Sequence, residues 1–108
     1  MALPPEQDFV TQMRRASSRV TVTDKVLLKP ESQTWVTVRS ARTGLVIIEP
    51  YKRLFEKHNC LAATGVHQVE ADKPFRILVE NFTKYPCIVQ SGRNVAHVDE
   101  HLTNLAES

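Results

Sequence analysis

Short segments in which apolar and polar residues alternate with a period of two recur along most of this chain. The alternation is clearest in residues 20–23, 33–41 and 75–80, and β-branched residues are common in the first two. Because successive side chains of a β-strand point to opposite faces, this period is typical of strands with one buried face. The pattern therefore predicts β-structure from about residue 18 onward.

The spacing of these segments predicts the fold class. About six to eight short strands, separated by turn residues every 8 to 12 positions, indicate an all-β fold: a jelly roll, a β-sandwich or a small barrel. The predicted β domain covers residues 17–99, with an N-terminal arm at 1–16 and a polar tail at 100–108. We expect at most a short helix near the N-terminus, around residues 6–15, or in residues 51–58, where a loop is the alternative.

The alternation also predicts which residues form the core and which hold the turns. Asn81 ends a strand and is expected to bond to backbone groups. Gly65 and Gly92 are expected where a turn or a positive φ is needed. The predicted core residues are Val36, Val38, Ile77, Val79, Ile88 and Val95.

Composition excludes several classes of protein. A membrane-spanning helix needs about 20 apolar residues in a row, and the longest apolar run here is residues 45–48. The N-terminus lacks the apolar segment of a secretory signal, so we expect an intracellular protein, in the cytoplasm, the nucleus or virus-like particles. Fourteen Lys and Arg against 12 Asp and Glu give a net charge of +2, too balanced to indicate nucleic-acid binding by itself.

Metal and disulfide chemistry are not expected. Cys60 and Cys87 lie far apart and fit no metal-ligand spacing, so both are predicted to be buried free thiols. His97 and His101 are four residues apart, but His97 lies in a predicted strand and no third or fourth ligand follows at a usable spacing.

The residues typical of several enzyme classes are missing. The chain has no Gly-rich phosphate loop, no GxSxG and no HExxH, and Thr43-Gly44 follows Arg42 where an aspartic protease has Asp. Glu70 and Asp72 would share one face of a strand, which is equally typical of a solvated surface. Neither a catalytic residue nor a cofactor is predicted.

Four motifs in a fixed order carry a resemblance to a known family. The first is an apolar strand that ends in Glu-Pro (residues 44–50), and the second is a segment from Cys60 to Val66 that contains Gly65. The third is a strand that ends in Asn81 (residues 75–81), and the fourth is a Gly-x-x-apolar-Ala turn (residues 92–96). This order resembles the region after the aspartic protease in gypsy-type LTR retrotransposon polyproteins. The match covers about residues 18–98 and implies a domain of a Pol polyprotein, with the other polyprotein domains as partners.

The chain also resembles, more distantly, the jelly-roll fold of trimeric dUTPases. Lys29-Pro30 leading to Arg39-Ser40, the segment 65–81, and the turn and strand from Gly92 carry this resemblance. It implies that Arg39, Ser40, Gln68, Ala71 and Gly92 occupy the positions of the nucleotide site. The family's catalytic Asp matches Gln68 and its sugar-stacking Tyr matches Ala71, and residues 100–108 contain no Gly for a closing arm.

These departures predict a domain without catalysis. An amide does not act as a general base near neutral pH. We therefore expect a structural, assembly or protein-interaction domain that forms a homo-oligomer, a trimer by resemblance or else a dimer. One alternative is a residual dUTP pyrophosphatase. Another is a nucleic-acid-binding module that uses two basic clusters, Arg14, Arg15 and Arg19, and Lys52, Arg53 and Lys57.

Overall fold

The computed structural model describes residues 18–99, and in this part of the chain the fold is mostly β. The strands are β1 (Arg19–Val22), β2 (Val26–Leu28), β3 (Ser32–Ser40), β4 (Gly44–Pro50), β5 (Cys60–Ala62), β6 (Gly65–Val69), β7 (Phe75–Asn81), β8 (Cys87–Val89) and β9 (Asn94–Asp99). A helix, α1 (Lys52–His58), lies between β4 and β5. The predicted N-terminal helix and His101 lie outside the described residues.

Seven strands form one curled antiparallel sheet in the order β5-β7-β3-β1-β9-β4-β6. The longest pairing joins β3 to β7 over seven residue pairs, from Ser32 opposite Asn81 to Val38 opposite Phe75. A second, two-stranded sheet consists of β2 and β8, paired from Val26–Val89 to Leu28–Cys87. The all-β, barrel-like prediction is confirmed, and the described residues contain nine strands rather than six to eight.

The two edges of the large sheet are joined by one bent stretch of chain. β5 pairs with β7, and after Ala63 and Thr64 the chain continues as β6, which pairs with β4. The Ala63 N–H still donates to the Leu78 carbonyl at 2.8 Å, so the bend begins only after that contact. A strand that changes partners in this way curls the sheet toward a barrel.

The core fills the inside of the curled sheet. The inward residues are almost all β-branched or small, and the β3 and β7 contributions, Val36, Val38, Ile77 and Val79, are buried as predicted, with Val95 of β9. Ile88 is a correction, because it is 54% exposed while its neighbour Val89 is buried. On β8 Val89 and half-buried Cys87 face the large sheet, so the residue between them must face solvent.

Helix α1 closes one end of the sheet through a single buried residue, Leu54. Its start is fixed by the Tyr51 N–H, which donates to the Val95 carbonyl of β9 at 3.3 Å. It ends at Asn59, which has φ 52° and donates its N–H to the Phe55 carbonyl at 2.9 Å. Asn tolerates this left-handed conformation better than most residues. The structure thus selects the helix over the loop for this segment.

Candidate functional site

Gln68, where the dUTPase resemblance places the catalytic residue, lies in an open cleft of about 390 Å³. We call it the Gln68 cleft. It lies where β6 ends and β7 begins, on either side of the turn that joins them. Its lining residues are Thr43, Gln68, Val69, Glu70, Lys73, Pro74 and Phe75.

The side chains around the Gln68 cleft are already engaged with one another. Glu70 and Lys73 form an ion pair of 3.0 Å between exposed groups. His67 packs against Phe75 with ring centroids 5.7 Å apart, and burial lowers the pKa of His67 below its usual value. At neutral pH His67 is therefore an uncharged packing residue.

The other positions that the dUTPase resemblance implies do not line this cleft. Arg39 is exposed on β3, opposite Thr21 of β1. Ser40 is buried, and its hydroxyl oxygen accepts the Arg42 N–H at 3.1 Å. Ala71 lies next to the cleft, because its N–H donates to the Thr43 hydroxyl oxygen at 3.0 Å.

Gly92 lies at a different place in the fold. It has φ 83° in the turn between β8 and β9, and its N–H donates to the Val22 carbonyl of β1 at 2.7 Å. The five positions therefore occupy two regions of one chain. Glu70 and Asp72 do not form a strand pair either, since β6 ends at Val69 and Asp72 lies in a turn with φ 60°.

A second cleft, of about 220 Å³, lies between α1 and the turn that precedes β9. We call it the basic cleft. It brings together Arg53 and Lys57, which the sequence selected, with His58 and Arg93, which it did not. The lining residues are Tyr51, Arg53, Leu54, Lys57, His58, Arg93 and Asn94.

The remaining predicted basic residues lie elsewhere. Lys52 is on α1 but is outside the cleft lining, 3.8 Å from Glu56. Arg19 is exposed on β1 opposite His97, whose imidazole is 3.3 Å from Glu49. Arg14 and Arg15 lie outside the described residues. Only part of the predicted basic surface is therefore gathered at one site among the described residues.

The two cysteines, distant in sequence, meet in the fold. Both are free, and Cys60 is buried while Cys87 is only half-buried, which corrects the prediction of two buried thiols. The Cys60 thiol donates to the His58 carbonyl at 3.4 Å, and burial, together with the neighbouring Cys87, raises the pKa of Cys60 to about 12. The pair lies where the β2–β8 sheet meets β5.

An exposed aromatic residue marks the outer face of β3 and β7. Trp35 is the only tryptophan of the chain and is 60% exposed. Leu78 lies directly opposite on β7, and the Arg76 guanidinium carbon is 5.9 Å from the centre of the indole ring. We call these three residues the Trp35 face.

Comparisons with protein-family models and with curated proteins find no match to this chain. Within residues 18–99 no group of three or more His, Cys, Asp or Glu side chains could hold a metal ion. In the same residues, no helix is long and apolar enough to cross a membrane.

Proposed function

We propose that this chain is a non-catalytic β domain that works by binding other proteins, first of all a second copy of itself. The first resemblance supports an origin in the Pol polyprotein of a gypsy-type LTR retrotransposon. The second supports descent from the dUTPase fold with loss of its catalytic residues. The proposal rests on the surface of the domain rather than on a reactive group.

The Trp35 face is the observation that carries this proposal. Tryptophan and arginine are the residue types that most often dominate the energy of protein interfaces. Here Trp35 stands on the outside of a sheet, next to half-buried Leu78 and beside Arg76. Covering this ring would remove apolar surface from water and would shield a cation–π contact from competing solvent.

A second copy is the partner that fits this surface best. A sheet face that carries both an indole ring and a guanidinium group offers each group a complement on an identical face, as the two-fold interface of a dimer requires. Arg76 of one copy can lie over Trp35 of the next, in the arrangement that the single chain already displays. The resemblance to trimeric dUTPases also favours self-association.

The chemistry of the Gln68 cleft supports the absence of catalysis. Gln68 cannot take a proton from water near neutral pH, and Glu70 in the same cleft is held by Lys73 at 3.0 Å. Arg39 and Ser40, which the resemblance would use for phosphates, do not line this cleft. An active site formed by this chain would lack both the general base and the aromatic ring that stacks on the sugar.

Size-exclusion chromatography with light scattering tests the proposal. We expect the parent chain to form dimers or trimers at micromolar concentration and Trp35→Lys to be a folded monomer. Val66→Lys is the matched control, since Val66 is 61% exposed on β6, outside the Trp35 face. It should leave the mass unchanged.

Two outcomes would contradict the proposal. A parent chain that stays monomeric up to high micromolar concentration would exclude self-association. An oligomer that survives Trp35→Lys but is lost in Val66→Lys would place the interface on β6. The fluorescence of Trp35 is a direct measure of its burial, because its emission should shift to shorter wavelength when the parent chain assembles and covers the indole ring.

A further inference from the structure

The basic cleft gathers basic side chains without a carboxylate. Arg53 and Lys57 are four residues apart on one face of α1, His58 follows, and Arg93 comes from the turn between β8 and β9. None of the cleft's lining residues is acidic. Like charges that line one cleft repel one another, and an anion bound between them would offset that repulsion.

Two nearby carboxylates, one on α1 and one on β4, lie next to other partners. Glu56 of α1 lies 3.8 Å from Lys52, and both side chains are largely exposed. Glu49, at the end of β4, lies 3.3 Å from His97. The positive charge of the cleft is therefore not neutralised by its own lining.

Both walls of the cleft are fixed by backbone hydrogen bonds. The wall formed by α1 is tied to β9 at Tyr51 and closed by Asn59 at its other end. In the opposite wall the Arg93 carbonyl accepts the Val22 N–H at 3.0 Å, and the Arg93 N–H donates to the Gln90 carbonyl at 3.1 Å. A site whose backbone is already ordered loses less entropy when a ligand binds.

We propose that the basic cleft binds phosphate groups. Guanidinium groups match phosphate oxygens with two parallel hydrogen bonds, and Lys57 adds a compact charge. A volume of about 220 Å³ leaves room for more than one phosphate group between the two walls. The phosphates can come from a free nucleotide or from the backbone of a single-stranded nucleic acid, which share this chemistry.

Of the positions that the dUTPase resemblance implies, only Gly92 lies near this site, because it precedes Arg93 in the same turn. Gln68 lines the other cleft, and Arg39 is exposed on β3. The inference also does not depend on the Trp35 face, because the two surfaces share no residue. Its failure and the failure of self-association are therefore distinguishable.

Fluorescence anisotropy of a labelled oligothymidylate, with unlabelled pyrophosphate and ATP as competitors, tests this inference. We expect Lys57→Glu and Arg93→Glu each to weaken binding roughly tenfold or more, since each removes a charge-assisted hydrogen bond and adds repulsion. Lys84→Glu, the same change in an exposed loop outside the cleft, should stay within about twofold. Circular dichroism confirms that each variant is folded.

The competitors and the salt dependence separate the two sources of phosphate. If the backbone of a nucleic acid is the ligand, the oligonucleotide binds much more tightly than ATP or pyrophosphate, and its affinity falls steeply between about 50 and 200 mM salt. If a free nucleotide is the ligand, ATP displaces the oligonucleotide at comparable concentration. Both results support a phosphate site in the cleft.

Three results would overturn the inference. One is the absence of binding by oligonucleotide, ATP and pyrophosphate alike at low salt. Another is equal binding by the parent, Lys57→Glu and Arg93→Glu. The third is a loss of binding in Arg39→Glu alone, which would place the phosphates at the position implied by the resemblance.

Discussion

At the scale of single residues, Asn81 is the polar group on which most local structure depends. It is fully buried at the end of β7, and its amide nitrogen donates to the carbonyls of Leu28 and Tyr85 at 3.1 and 2.9 Å. Its amide oxygen accepts both the N–H and the hydroxyl of Thr83, at 2.9 and 2.8 Å. The sequence prediction that this side chain bonds to backbone is confirmed.

Removing this amide should be costly. We expect Asn81→Ala to lower the free energy of unfolding by about 2 to 4 kcal/mol, because buried partners lose their hydrogen bonds and a cavity remains. Urea denaturation measures the change. Gln90→Ala, which removes an exposed amide, is the control and should change stability by less than about 0.5 kcal/mol. Equal stability of both variants would mean that Asn81 contributes nothing specific.

His67 makes stability depend on pH. Because burial lowers its pKa in the folded state, the unfolded chain binds a proton more readily than the folded chain. The free energy of unfolding is therefore unaffected by His67 above the pKa of histidine in the unfolded chain, about 6.5, and it falls as the pH drops below that pKa. We expect thermal melting between about pH 7 and pH 5 to show a smaller loss in His67→Gln than in the parent. A loss of stability that is identical in the parent and in His67→Gln would assign it to other groups.

At the scale of elements, the strands were predictable because each is a local pattern, whereas their partners were not. The period of two in residues 33–41 and 75–80 needs only neighbouring residues, and β3 and β7 are where it places them. The sheet order and the bend after Ala63 depend on contacts between distant segments. The prediction that Ile88 is buried was wrong for the same reason, because the face of β8 that meets the core depends on how β8 packs against the large sheet.

The reactivity of the two thiols measures how tightly the two-stranded sheet packs against the large sheet. With its pKa raised to about 12, Cys60 holds about a thousandfold less thiolate near pH 8 than a thiol with the ordinary value of 9.0. We expect iodoacetamide to modify Cys87 in the native protein and to leave Cys60 intact, as peptide mass spectrometry would show. Both should react in urea, and Cys87→Ser should give an unlabelled native chain. Rapid native labelling of Cys60 would mean that the β2–β8 sheet opens readily.

At the scale of the whole molecule, the candidate sites combine residues that no local pattern connects. The sequence selected Arg53 and Lys57 from a charged run, but His58 and Arg93 join them only because α1 packs beside the turn before β9. Analysis of single sequence segments therefore identifies two of the four basic residues that line the cleft. The positions that the dUTPase resemblance implies show the reverse, because their motifs have the expected order in the sequence but are divided in the fold between the Gln68 cleft and the turn at Gly92.

This division predicts that one substitution will not create a hydrolase. Gln68→Asp places a carboxylate in the Gln68 cleft, but Ala71 still offers no ring for a sugar, and neither Arg39 nor Gly92 lines that cleft. We expect no pyrophosphate release from dUTP with millimolar Mg²⁺, either from the parent or from Gln68→Asp, at concentrations where light scattering shows the assembled form. Gln68→Asn is the matched control, because it shortens the side chain without adding a charge. Release by Gln68→Asp above that control would show that assembly completes a working site, and the domain would then be a hydrolase that lacks only its base.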